Sequence, residues 1–229
     1  MKGIMFKPEM FQAVIEERKT QTRRLGGLDY INQNPDRNKF LGLQKDPEVY
    51  KPGASELNNE LRQTKGMYTE FYIGDSEYYR QLFRPRYQPG EVVYLKEPYL
   101  LDAAGNVIYK HKSDVQMQNI ARWKNKMFMP ARYARYFIEI VTARPERLQD
   151  ITEYDAHWEG VRYSQSPMGK CYYDYRYGGY NILTGAIDSY RYLWQTIHGE
   201  ESWNKNPWVW VYQFKLSKAN NLKEANNGK

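Results

Sequence analysis

Cysteine and histidine are scarce in this chain of 229 residues: one cysteine, Cys171, and three histidines, His111, His157 and His198. A lone cysteine excludes an internal disulfide and any multi-cysteine metal centre. The histidines are scattered without metal-ligand spacing, so a metal would have to rest mostly on carboxylates, and nothing in the pattern asks for one. No cofactor is expected either. Long apolar runs are also missing: no stretch approaches the roughly 20 residues that span a bilayer, so no membrane segment is expected. The opening Met1-Lys2-Gly3-Ile4-Met5-Phe6 meets Lys7, Pro8 and Glu9 too early for a secretory signal. It reads as the first strand of a cytoplasmic protein.

Acidic residues are in deficit. Lys and Arg number 34 against 27 Asp and Glu, a formal charge of +7, which favours a polyanionic partner. Aromatics make up 16% of the chain and 22 of them are tyrosines, whose ring stacks and whose hydroxyl bonds. That suits unstacked bases. It equally suits the filling of barrel and loop cores, and composition leaves both readings open.

Residues 3–6 read as a strand, and Pro8 sits where a helix tolerates proline. Phe11, Val14 and Ile15 then follow at helical spacing, predicting an amphipathic helix over 8–18. Residues 20–24 predict a strand that Gly26-Gly27 ends. Residues 25–86 are polar and rich in Asn, Asp, Pro and Gly, with apolar clusters at 67–72 and 78–83. Too long to be structureless, they read as an insertion with structure of its own. Further strands are expected at 92–95, at 107–109 after a Gly105-Asn106 hairpin, at 137–141 and at 208–216. Pro98 belongs at a strand end or edge. In the last strand Trp208, Trp210, Tyr212, Phe214 and Leu216 share one face. Helices are expected near 151–160 and 188–198. About six strands with few helices predict an α+β, barrel-like single domain over 1–217, its core holding Ile4, Val93, Ile138, Ile140, Val209 and Val211. A polar, disordered tail follows at 218–229.

Three features carry chemistry. Lys19-Thr20-Gln21-Thr22-Arg23-Arg24 crowds hydroxyl and cationic groups at a helix-to-strand junction, as a cleft would need, though a solvated strand edge looks the same. Glu159 closes a helix that Thr152 and Asp155 begin as a capping box and that Gly160 stops. In that last turn the helix dipole opposes its negative charge and favours the protonated form of a proton shuttle. Position alone fits an idle surface glutamate as well. The run 163–180 sets Tyr172, Tyr173, Tyr175, Tyr177 and Arg176 among glycines, which is either a stacking surface or a self-packed hairpin.

Several segments resemble ASCH-domain proteins of the phage and prophage type. They are Phe6-Lys7-Pro8-Glu9-Met10, Arg18-Lys19-Thr20-Gln21-Thr22-Arg23-Arg24, Tyr87-Gln88-Pro89-Gly90-Glu91, Met129-Pro130, Glu146-Arg147-Leu148-Gln149-Asp150-Ile151 and Asn206-Pro207-Trp208-Val209-Trp210-Val211. They keep the family's order, with 25–86 and 162–187 as two large insertions. The family pattern Gly-x-Lys-x-x-Glu-x-Arg is met by Lys19 and Arg24, with Glu17 in the glycine's place and Thr22 in the glutamate's. The resemblance implies a PUA-like mixed β-barrel with flanking helices. Lys19 followed by Thr22 is similar to small bacterial ASCH enzymes that deacetylate N-acetylcytidine. Residues 151–159 resemble the segment carrying their catalytic glutamate and put Glu159 in its place.

The resemblance thus implies an amidohydrolase site of Lys19, Thr22 and Glu159, acting on an N-acyl group of a modified cytosine-type base. Thr22, or a water it holds, would be the nucleophile. Arg24 is the candidate for a phosphate or base edge, with Arg23, Lys96, Glu97, Tyr172, Tyr173, Tyr175 and Arg176 as further binding candidates. The expected partner is a nucleoside or RNA, including single-stranded nucleic acid. The alternatives are a non-catalytic RNA or nucleotide-binding module and a ribonuclease. Lys19 and Thr22 can share a site only if the chain bends at Lys19 and the regular strand starts at Thr20 or later, because strand residues three apart face opposite ways.

Overall fold

A computed structural model describes residues 1–45, 66–74, 79–112, 122–167, 169–180 and 185–217. The chain is α+β, with many short strands and few helices. Its elements begin β1 (Gly3–Met5), α1 (Pro8–Ile15), β2 (Gln21–Arg24), β3 (Lys39–Lys45), β4 (Met67–Tyr72) and β5 (Arg80–Phe83). There follow β6 (Val92–Lys96), β7 (Tyr99–Leu101), β8 (Val107–Tyr109), β9 (Phe137–Arg147), α2 (Glu153–Trp158) and β10 (Tyr163–Ser166). The last are β11 (Gly169–Asp174), β12 (Gly179–Tyr180), α3 (Ala186–His198), α4 (Glu201–Asn204) and β13 (Trp208–Ser217). They fall into two compact units. One comprises Met1–Glu17, Gly90–Glu139 and Lys215–Lys229, the other Arg18–Pro89 and Ile140–Phe214.

In the first unit β1 runs parallel to β6, with Ile4 opposite Leu95, and β6 pairs antiparallel with the start of β9. Gly3 is required there: a Cβ would come within 2.6 Å of the Tyr94 ring. Helix α1 buries Met10, Phe11, Ala13 and Val14, and Phe11 stacks on His111 at 4.8 Å. The helix is shorter than the predicted 8–18. The chain leaves it through Glu17, whose φ of 58° is the left-handed conformation that commonly ends helices. That is the position where the ASCH pattern has glycine. The β7–β8 hairpin turns at Gly105, φ 86°, with Asp102 accepting from the Asn106 backbone at 2.7 Å.

In the second unit β2 pairs antiparallel with β13, Thr22 opposite Tyr212 and Arg24 opposite Trp210. The predicted one-sided burial of β13 does not hold. Val209, Trp210, Val211, Tyr212 and Phe214 are all buried, so both faces of the strand are covered. The segment 25–86 supplies a three-stranded antiparallel sheet, β3-β4-β5, whose Phe71 packs edge-on against Trp208 at 4.9 Å. The two apolar clusters predicted in that segment coincide with β4 and β5. Residues 46–65 and 75–78 of the same segment, and the tail 218–229, lie outside the described residues. The run 163–180 forms a second small sheet, β10-β11-β12, as the hairpin reading expects.

Thirteen strands replace the predicted six, because both insertions fold into sheets of their own. The expected closed barrel is not seen among the described residues: β1 ends the sheet with β6 as its neighbour, and β2 with β13, so no ladder closes. The six predicted core residues are all buried, none above 2% exposure. Among the described residues no helix is long and apolar enough to cross a membrane.

Candidate functional site

The polar residues of the second unit gather where β2 meets α2. Thr152 accepts from the Asp155 backbone and Asp155 accepts from the Thr152 backbone, a complete capping box that starts α2 six residues before its end. Gly160, φ 85°, stops it. The free carbonyls of that C-terminus meet the N-terminal end of β2: the Thr20 amide donates to Trp158 O at 2.9 Å, and Lys19 Nζ donates to Glu159 O at 2.7 Å. A cation there is favoured by the helix dipole.

Lys19 Nζ also reaches Glu159 Oε2, at 2.6 Å, and Arg23 Nη1 takes the other carboxylate oxygen, Oε1, at 3.1 Å. The two cations therefore hold Glu159 from both sides. All three are buried: Lys19 is 3% exposed, Arg23 3% and Glu159 2%. Arg23 is the centre of a wider network. Its Nη2 donates to Glu146 Oε1 at 2.6 Å and lies 3.5 Å from Asp155 Oδ2. Gln21 Nε2 donates to Asp155 Oδ1 at 3.0 Å, and Arg144 closes the ring on Glu146 at 2.8 Å.

Burial is also what moves the protonation equilibria. It pulls the Lys19 ammonium below its ordinary value, the pull outweighing the opposing Glu159 charge. Burial works against the Arg23 charge too, but Glu159, Tyr190 and Glu146 more than compensate and raise it. Asp155 is pushed up by burial, yet its hydrogen bonds from Gln21 and Thr152 and the nearby Arg23 hold it below the usual carboxylate range.

The remaining candidates sort by position. Since Gln21 and Arg23 both reach α2 and its C-cap, alternation along β2 assigns Thr22 and Arg24 to the strand's other face. Thr22 is 4% exposed. Lys19 precedes the regular strand, which starts at Gln21. Arg23, expected to contact substrate, instead spends its guanidinium on Glu146 and Glu159. Lys96 and Glu97 belong to the first unit, where Glu97 is gripped by Arg135 through two bonds of 2.7 Å and Lys96 Nζ donates to Met127 O at 2.6 Å.

In the β10-β11-β12 sheet Tyr172 is buried, its hydroxyl 3.1 Å from His157 Nε2, so it offers no stacking surface to a base. Tyr173 packs edge-on to Tyr175 at 4.9 Å and carries Arg162 over its ring at 4.4 Å. Arg176 is bound to Asp174 through Nε and Nη2 and lies over Tyr192 at 3.6 Å. Tyr177, at 76% exposure, is the aromatic this segment presents most openly.

Glu146, Asp155, Gln21 and Tyr190 complete the cluster, and sequence reasoning gave them no role in a site. Asp155 was legible only as a cap, and Glu146 only as part of a resembling block. Tyr190 carried no signal beyond helical spacing. Among the described residues no group of three His, Cys, Asp or Glu is arranged to hold a metal ion. In comparisons with family models, with curated proteins and with solved structures, none matches this chain.

Proposed function

We propose that the chain is a nucleoside- or RNA-directed amidohydrolase of the ASCH, PUA-like type, which removes an N-acyl group from a modified cytosine-type base. The observation that carries this reading is the buried contact of 2.6 Å between Lys19 Nζ and Glu159 Oε2, from residues 140 apart in sequence. An amide hydrolase needs a base beside a proton carrier, and a desolvated lysine touching a carboxylate supplies both.

In this mechanism the neutral Lys19 amine takes a proton from water, or from Thr22, as the oxygen bonds to the acyl carbon. The proton crosses the short contact to Glu159. It passes to the base's exocyclic nitrogen as the C–N bond breaks, releasing the carboxylic acid and the free amine. Arg23 holds Glu159 in place throughout and is a positioning residue. With Thr22 assigned to the opposite face of β2 from Arg23, water is the favoured nucleophile. The test is incubation of purified protein with N-acetylcytidine, reading release of cytidine, alongside Lys19→Ala and Glu159→Gln.

The deep burial of the pair favours a second reading, a non-catalytic RNA or nucleotide-binding module in which Lys19 and Glu159 only brace β2 against α2. Binding of RNA without turnover of N-acetylcytidine selects it.

A further inference from the structure

Helix α3 buries Ala186, Ser189, Tyr190, Leu193 and Trp194, an i, i+3, i+4 stripe that reads as ordinary core. Tyr190 differs from its neighbours on that stripe. Its ring packs against Trp194 at 6.3 Å and Trp203 at 6.4 Å, which leaves it 3% exposed. The Arg23 guanidinium lies 5.9 Å from the ring centre, and the phenol is electrostatically coupled to Glu159, Arg23, Arg24 and Glu146. It therefore belongs to the same charged cluster as the Lys19–Glu159 pair. Among the described residues its hydroxyl makes no hydrogen bond, neither to this network nor to the backbone. A hydroxyl kept out of water without a partner is destabilising, and phenylalanine would fill the same space without that cost. Its retention beside a proton-transfer pair has an explanation if the partner is the substrate.

We infer that Tyr190 is the oxyanion donor of this site, its hydroxyl hydrogen-bonding the acyl oxygen of the bound amide. This rests on the hydrolase reading above and names the group that reading lacks. When oxygen attacks the acyl carbon, the carbonyl π pair moves onto oxygen as negative charge, and a donor already aimed at that atom stabilises it without reorganising. The phenol keeps its proton: it gives a hydrogen bond, and the proton that reaches the leaving amine still comes through Lys19 and Glu159. Burial, with the Glu159 charge, raises the phenol well above its ordinary value, so it remains a donor across the working range.

The experiment compares wild type, Tyr190→Phe and Tyr190→Met with N-acetylcytidine as substrate, with Lys19→Ala as the inactive reference and thermal melting recorded for each. The expected result is a fall in kcat of about 10²–10³-fold for Tyr190→Phe, the loss typical of one oxyanion donor. KM stays within a few-fold, and the melting temperature is equal to or above wild type. A melting temperature that falls with the activity would show a structural hydroxyl and overturn the inference. Should Tyr190→Phe fail to fold, Tyr190→Met, which also fills the space without a hydroxyl, carries the same expectation. Wild-type turnover lost in Lys19→Ala but kept in Tyr190→Phe overturns this inference alone. No turnover in wild type overturns both it and the reading on which it rests.

Discussion

Lys19 and Glu159 meet through a contact of 2.6 Å, and the lysine binds the backbone carbonyl of the same glutamate at 2.7 Å. One side chain thus ties the entry of β2 to both the carboxylate and the main chain at the end of α2. The arrangement makes the pair structural whatever else it does. Removing one member of a buried ion pair strands the other, at about 3–5 kcal/mol. Glu159→Ala strands Lys19 and Arg23 together and is expected at the upper end of that range. Urea unfolding monitored by circular dichroism measures it, and a loss below about 1 kcal/mol would show that the pair is not buried in solution.

The proton-accepting role of Lys19 predicts a pH dependence. Burial holds the ammonium below its ordinary 10.5, so the neutral amine gains population at lower pH than a free lysine would. Hydrolysis of N-acetylcytidine should rise with pH and level off below 10.5. Lys19→Arg keeps the charge but cannot yield the proton, and should abolish turnover at every pH. Activity retained in that variant would remove Lys19 as the base.

Asp155 links stability to pH in the acid range. Its folded value lies below the ordinary 3.8, so its contribution is fully present above that value and is lost as pH falls through the lower, folded one. Asp155→Asn should therefore flatten the acid limb of the stability curve. Thr152→Ala, which removes the hydroxyl half of the capping box, should cost about 1 kcal/mol at neutral pH. Chemical denaturation at a series of pH values reads both.

If single-stranded RNA is a partner, exposure decides which tyrosine matters. Tyr177→Ala should weaken binding by about 1–3 kcal/mol, the usual worth of one stacked base. Tyr172→Ala should act through stability, because its ring is buried against His157. Salt titrations are expected to show affinity falling with ionic strength by about 0.7 in log–log slope per phosphate contacted. Equal losses for the two variants at constant folding would place the bases elsewhere.

Much of the fold was legible because local rules decide it. The capping box of Thr152 and Asp155, the stop at Gly160 and the turn at Gly105 depend on residues within a few positions of one another. The apolar clusters that became β4 and β5 were visible for the same reason. Helix α1 was read too long because its end depends on the left-handed turn at Glu17, and glutamate does not advertise a positive φ. The double-sided burial of β13 escaped because alternation reveals one covered face and is silent on a second.

The site divides along the same line. The sequence by itself determined that Lys19 would stand at a helix-to-strand bend and Glu159 at a helix end, since both follow from chain-local geometry. Only the tertiary structure decided what each would touch. Arg23 was expected at a ligand and is committed to Glu146 and Glu159, because a buried guanidinium must find carboxylates wherever the fold brings them. Glu146, Asp155 and Tyr190 join from β9, α2 and α3, segments between 122 and 167 residues from Arg23 along the chain. No pattern in a single sequence records such pairings. They are set by how elements pack, and a charge in the interior makes them obligatory.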